Sequence, residues 1–218
     1  MRLLQVLAAA LAALVAVPAQ PVPLPADEIA KLCHDAEGPA HCMRLVEAQQ
    51  LKRLPGLATR EGNVLRVRMF PTGAVTFEDV DTLSGGTSYA LWDYISELNA
   101  VVLWTMRDDD AGFLLLQRAS GRRTPLPADP VLSPDRRRFA TADFCATRCE
   151  NALAVWRASR DGVQREAEWR PAEAWSDAGV RWKDADTLVV DYTPAGATAS
   201  RTLERRLGEP GWIRRGAP

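Results

Sequence analysis

The sequence predicts a mainly β protein with a short helical hairpin near its N-terminal side. Three observations carry this. Short apolar segments bounded by turn residues recur from Asn63 onward. Helical spacing of apolar residues is confined to the stretch from Ile29 to Val46. One hexapeptide pattern occurs twice, as "NAVVLW" at 99–104 and "NALAVW" at 151–156. Strands at that density with few helical patterns argue for an all-β body.

The chain opens with "MRLLQVLAAALAALVAVPA", in which Arg2 precedes an apolar run and small residues flank Pro18. That is the pattern of a cleavable secretory signal peptide over 1–19, with cleavage after Ala19. The run is shorter than the roughly 20 apolar residues of a spanning helix. No second such run follows, so no transmembrane segment is expected after cleavage. Residues 20–26, "QPVPLPA", form a proline-rich tether.

Asp27 is a plausible helix N-cap, and Ile29, Leu32, Cys33 and Ala36 follow at helical spacing. Gly38-Pro39 breaks that helix and starts another, whose stripe is Cys42, Leu45 and Val46. Pro55-Gly56 ends it, giving a hairpin over 27–56 and a β-rich repeat region over 57–218. In that region Leu65, Val67 and Met69 alternate with polar residues, as in a half-buried strand.

An exported chain favours oxidised cysteines. The four cysteines allow three connectivities, of which Cys33–Cys42 with Cys145–Cys149 is the simplest. Crossed pairing would instead tie the hairpin to the β body. A bridge closing so short a loop contributes about 2–3 kcal/mol in the chain-entropy model.

The hexapeptide match extends outward. Leu83-Ser84 corresponds to Leu132-Ser133, and a fainter third unit is "VRWKDADTLVVDYT" at 180–193. The period near 50 residues lies in the range of propeller blades. "PVLSPDRRRFATA" carries Leu132, Ser133, Pro134 and Asp135 of a Leu-Ser-Pro-Asp-Gly turn, with Arg136 at the usual glycine position. In these residues the chain resembles the PD40/WD40-like β-propeller blade repeats over 83–207. The resemblance implies a partial propeller-like stack of antiparallel blade-type sheets. Two or three units cannot close a ring, since propellers have four or more blades. A β-sandwich with a helical hairpin is the alternative. Propeller-like folds host many activities, so the resemblance implies no function.

Chemistry-bearing residues are few. Both histidines lie in "CHDAEGPAHC", beside Cys33 and Cys42. Cys33, His34, His41 and Cys42 would make a zinc set. However, adjacent helical residues diverge by about 100°, and zinc pairs are ordinarily spaced by two to four residues. "CATRC" is not the C-x-x-C of thiol oxidoreductases. No G-x-S-x-G occurs. Glu78, Asp79 and Asp81 could serve a hydrolase as paired acids. Trp156, Trp169, Trp175 and Trp182 are either core fillers or an exposed patch for a protein or glycan partner. Formal charge is −1, and −2 once Arg2 leaves with the leader, so no basic excess invites nucleic acid. The sequence therefore predicts an exported, periplasmic or secreted bacterial envelope protein that binds or scaffolds, without cofactor and without enzymatic activity. The alternatives are a hydrolase using Glu78, Asp79 or Asp81 and a metal binder using the Cys/His cluster.

Overall fold

The computed structural model describes residues 24–82, 85–108, 110–159 and 162–214. The predicted leader (1–19), most of the tether and Leu83-Ser84 lie outside them.

The hairpin forms as helices α1 (Ala26–Cys33) and α2 (Pro39–Arg53), joined by the Cys33–Cys42 disulfide. Pro25, rather than Asp27, occupies the N-cap; Asp27 lies in the first turn and pairs with Lys31. Pro39 sits at the start of α2, where its missing N–H leaves nothing unsatisfied. The expected apolar stripe of α2 is mostly not its packing face. The buried residues are Val46, Glu47 and Gln50.

The rest is β, in four antiparallel meanders. The first sheet is β1 (Ala58–Glu61), β2 (Val64–Arg68) and β3 (Ala74–Glu78). The second is β4 (Val80–Thr82), β5 (Gly85–Ile95), β6 (Ala100–Arg107), β7 (Asp110–Gln117) and β8 (Arg123–Leu126). The third is β9 (Val131–Leu132), β10 (Arg138–Asp143), β11 (Ala152–Ser159) and β12 (Gly162–Trp169). The fourth is β13 (Trp175–Trp182), β14 (Thr187–Pro194) and β15 (Arg201–Arg206). A last strand, β16 (Ile213–Arg214), returns to the third sheet and pairs with the outer edge of β12. The sequence predicts two or three repeat units; the structure has four sheets, the extra one built from 58–78.

Three apolar clusters hold these sheets together, each shared by two consecutive ones. Leu65, Val67 and Phe77 of the first sheet meet Leu91, Val101, Leu103 and Leu116 of the second. The opposite face of the second sheet, with Ala100, Val102 and Leu115, meets Phe139, Ala154 and Trp156 of the third. The other face of the third, with Leu153, Val155 and Ala167, meets Trp175, Leu188 and Val190 of the fourth. Three clusters for four sheets make an open stack rather than a sandwich of two sheets around one core.

This arrangement explains the repeated hexapeptide. Side chains alternate along a strand, and β6 and β11 lie at the centres of sheets buried on both sides, so Ala100–Trp104 and Ala152–Trp156 are apolar and buried throughout. Each is entered through an asparagine in the left-handed region, Asn99 (φ 45°) and Asn151 (φ 51°). Asparagine tolerates that conformation better than most residues. In β2, at the centre of an end sheet, buried and exposed residues alternate instead. The Ser133–Arg136 turn accounts for its own departure from the repeat pattern. Arg136 has φ 57°, a position that favours glycine, and its guanidinium pairs with Glu97.

Candidate functional site

The Cys/His cluster is structural. Cys33 and Cys42 are bonded to each other with their Cα atoms 4.7 Å apart, as are Cys145 and Cys149 at 5.4 Å, so the local pairing is the one formed. The second bridge closes the loop between β10 and β11. His34 Nδ1 contacts Asp35, and His41 Nδ1 accepts the Glu37 N–H. Among the described residues no group of three or more His, Cys, Asp or Glu side chains comes together as a metal site.

The acids predicted as paired catalysts do not converge. Glu78 is exposed at the end of β3 and accepts from Asn63. Asp81 is exposed in β4. Asp79 belongs to a partly buried ionic cluster that spacing did not reveal. Arg44 and Arg60 both reach Asp79, and both also reach Glu47. Glu47 is 2% exposed. Burial pulls the Arg60 guanidinium below its ordinary value, against the hydrogen bond and charge of Glu47.

The cluster finishes the open edge of β5. β4 covers that edge only as far as Thr87. Beyond it, Tyr89 N–H donates to Asp79 Oδ1 at 2.9 Å, and its carbonyl accepts from Arg44 (2.7 Å) and Arg60 (2.5 Å). Leu91 N–H donates to Glu47 Oε1 at 3.4 Å, and the Trp92 carbonyl accepts from Gln50 Nε2. Charged side chains of α2, β1 and the β3–β4 link thus replace a neighbouring strand, satisfying groups that burial would otherwise leave unpaired.

The tryptophans predicted as a possible surface are mainly core. Trp175 is 2% and Trp156 6% exposed. Trp175 stacks on Tyr192 with ring centroids 4.0 Å apart and touches Phe144 and Trp169. Trp156 stacks on Phe139 and donates to Thr141. Trp182, half-buried, donates to the Val131 carbonyl and ties the fourth sheet to β9. The area between stacked sheets needs large fillers, and these rings supply it.

Two carboxyls are raised far above their ordinary value. Asp93, 8% exposed, lies where β5 and β6 shift register, and its Oδ1 has no hydrogen-bond partner. Burial raises it to about 6, against the Tyr94 backbone N–H and the charge of Arg53. Asp129 is raised to about 7, first by the packing around its carboxyl, against the Trp92 hydrogen bond, with Asp93 adding repulsion. Trp92 Nε1 donates to Asp129 Oδ1 at 2.7 Å. Such a pair is the kind that general acid–base sites use. The space beside it, lined by Leu24, Ile29, Val46 and Trp92, is only about 20 Å³, which admits a water but no substrate.

Two of the larger concavities contrast in charge; a further one, about 450 Å³, lies over β6 and β7 and carries Arg107, Asp108 and Asp110. The first, about 580 Å³, lies between the third and fourth sheets and carries Arg138, Arg206 and Arg214 against Glu166, Asp184 and Asp186. Arg138 pairs there with Glu166 and Asp186, so the groove largely neutralises itself. The second, about 350 Å³, lies where α2 ends and is lined by Arg53, Leu54, Pro55, Gly56, Leu57, Tyr94 and Arg118. The Arg68 guanidinium lies beside Gly56 of this lining without itself lining the pocket, since a Cβ built on Gly56 would lie 3.4 Å from its Nη1. Among the described residues no carboxylate lines this second pocket.

Arg118 is half-buried and held from three sides. Its Nε donates to the Arg68 carbonyl at 2.6 Å, its Nη1 to Asn99 Oδ1 at 2.9 Å, and its guanidinium lies 5.7 Å from the centre of the Tyr94 ring. Tyr94 Oη donates to the same Asn99 oxygen. Among the described residues Arg118 has no carboxylate partner.

No protein-family model, curated protein or solved structure matches this chain. The functional reading therefore rests on geometry and chemistry alone.

Proposed function

We propose that this chain is an exported binding protein of the bacterial cell envelope, periplasmic or secreted, acting without covalent chemistry. One observation carries the reading: Arg118 is held rigidly in a concavity of about 350 Å³ with its charge uncompensated by any described carboxylate. A fixed guanidinium facing an open pocket suits recognition, because little side-chain freedom is lost when a ligand arrives. The paired acids predicted for a hydrolase support binding rather than catalysis, since Asp79 is engaged by two arginines and one backbone N–H. The two disulfides agree with an oxidising compartment. A blade-repeat origin is part of the proposal, supported by four consecutive meanders and two asparagine-led central strands.

Osmotic-shock fractionation with intact-mass measurement tests the export. The expected product starts at Gln20, leaves with the periplasmic fraction and takes up no thiol label until reduced. A full-length chain in the cytosol with labelled cysteines would overturn it. Binding is tested by thermal shift of the mature chain against a panel of small anionic, neutral and cationic compounds. Stabilisation by at least one class without turnover is expected, and silence across the panel counts against the reading.

A further inference from the structure

We infer that the pocket at the end of α2 binds a small molecule consisting of a carboxylate on an apolar body, clamped by Arg118 and Arg68; this rests on the binding reading above. Guanidinium presents paired N–H donors that match a carboxylate in a plane. Two of Arg118's nitrogens are occupied by Arg68 O and Asn99 Oδ1, which orients its plane, and Nη2 remains for a ligand. Arg68 is exposed and its guanidinium has no partner among the described residues, yet it lies against Gly56 at the pocket wall. Arg53 adds positive potential at the rim while also facing Asp93.

The other walls set the rest of the ligand. Leu54, Pro55 and Leu57 carry no side-chain donor, and the Tyr94 hydroxyl is already committed to Asn99. An inorganic oxyanion would find donors on one side only and face hydrocarbon on the other. A carboxylate with an apolar body matches both sides. The volume, about 350 Å³, falls at the small end of ligand pockets. Gly56 is also needed as glycine here: its φ of 78° is left-handed, and a side chain would meet Arg68.

The test is titration of the mature chain, followed by backbone amide and arginine side-chain NMR. Its probes are a series of aliphatic and aryl carboxylates (hexanoate, phenylacetate), 2-phenylethanol as the neutral counterpart, and inorganic phosphate. Carboxylates should shift the signals of Gly56, Tyr94 and the Arg118 Nε–H. The alcohol and phosphate should bind at least about 10-fold more weakly, the range a charge-assisted hydrogen bond commands. Arg68→Gln should weaken binding about 10-fold with unchanged melting temperature, because its guanidinium bonds to none of the described residues. Arg118→Lys should weaken it more, by losing the planar fork while keeping the charge.

Carboxylates that bind the variants as tightly as the parent, or an alcohol that binds as well as phenylacetate, would overturn the inference. So would a carboxylate series that leaves those signals unmoved. If other compound classes stabilise the protein and carboxylates do not, this inference falls and the binding reading stands; if nothing in the panel binds, both fall.

Discussion

The open edges of β5 and β12 face the same physical problem and meet it with different materials. Past Thr87, no described strand pairs with β5 on the side away from β6, and its N–H and C=O groups there are met by Asp79, Glu47, Arg44, Arg60 and Gln50. The edge of β12 is met by backbone, where β16 pairs at Ala167–Arg214 and Glu168–Ile213. A backbone cover tolerates almost any side chain, and Ile213 is 57% exposed. A cover made of charges depends on each partner, because removing one leaves another buried and uncompensated. The same deficit, an unpaired sheet edge, is thus fragile to substitution in one place and robust in the other.

The strongest way to break this comparison is Glu47→Ala. It leaves Arg60 and Arg44 with Asp79 as their shared carboxylate and frees the buried Leu91 N–H, so urea denaturation should show a loss of about 3 kcal/mol. A loss below about 1 kcal/mol would mean the charges are incidental to the edge. Glu47→Met combined with Arg60→Met should recover much of the loss, because burying neither charge costs less than burying one.

Next comes pH, through Asp93, the carboxylate beside this edge whose Oδ1 lacks a partner. Its folded value, about 6, lies above the ordinary 3.8, so the folded state binds more protons than the unfolded state between roughly pH 4 and 7. Stability should fall as pH rises through that window, by on the order of 2 kcal/mol for Asp93, with Asp129 acting in the same direction. Below it the sign reverses, since Glu166 and Glu168 are held low in the fold, with Arg157 and Arg138 favouring the charged Glu166 and Arg170 and Arg165 the charged Glu168, against burial, and their contribution is lost on acidification. Melting temperatures from pH 4 to 8 should peak near pH 5, and Asp93→Asn should flatten the upper limb. An unchanged upper limb in that variant would place the titration elsewhere.

The smallest effect belongs to the backbone cover. Ending the chain after Trp212, which keeps that ring on the core, should cost about 1–2 kcal/mol, the loss of two rungs of ladder and of the Arg214 bond to the Leu207 carbonyl. Hydrogen exchange should rise at Ala167 and Glu168, while Ile213→Thr should change nothing measurable. A loss rivalling that of Glu47→Ala would erase the distinction between the two edges.

What was legible in the sequence follows from the same division. Apolar patterning reveals strands buried on both faces, so "NAVVLW" and "NALAVW" stand out, and the proximity of the cysteines in each pair makes the pairing that forms the simplest of three. The first sheet is harder to see as a unit, because Val64–Arg68 alternates and its neighbours are short. The packing face of α2 is concealed because it is polar: Glu47 and Gln50 are buried against backbone groups rather than hydrocarbon. The arginine pocket leaves no local signature at all. Arg118 meets Arg68 across 50 residues, and only the fold brings them to the end of α2. Tryptophan count, by contrast, leaves core and surface both open, and the structure resolves it toward fillers between sheets for Trp156 and Trp175.

The return of the chain to the third sheet gives the molecule a direction under load. The fourth sheet, Trp175–Arg206, is enclosed in sequence between two segments of the third. Tension applied beyond β16 acts first on a two-rung antiparallel pairing, which opens one rung at a time. Only after that does it reach the fourth sheet. Tension applied ahead of α1 soon meets the Cys33–Cys42 bond, which takes the turn between the helices out of the extensible length. The C-terminal side yields by peeling, and the N-terminal side passes force directly into α2 and the charges it places on β5.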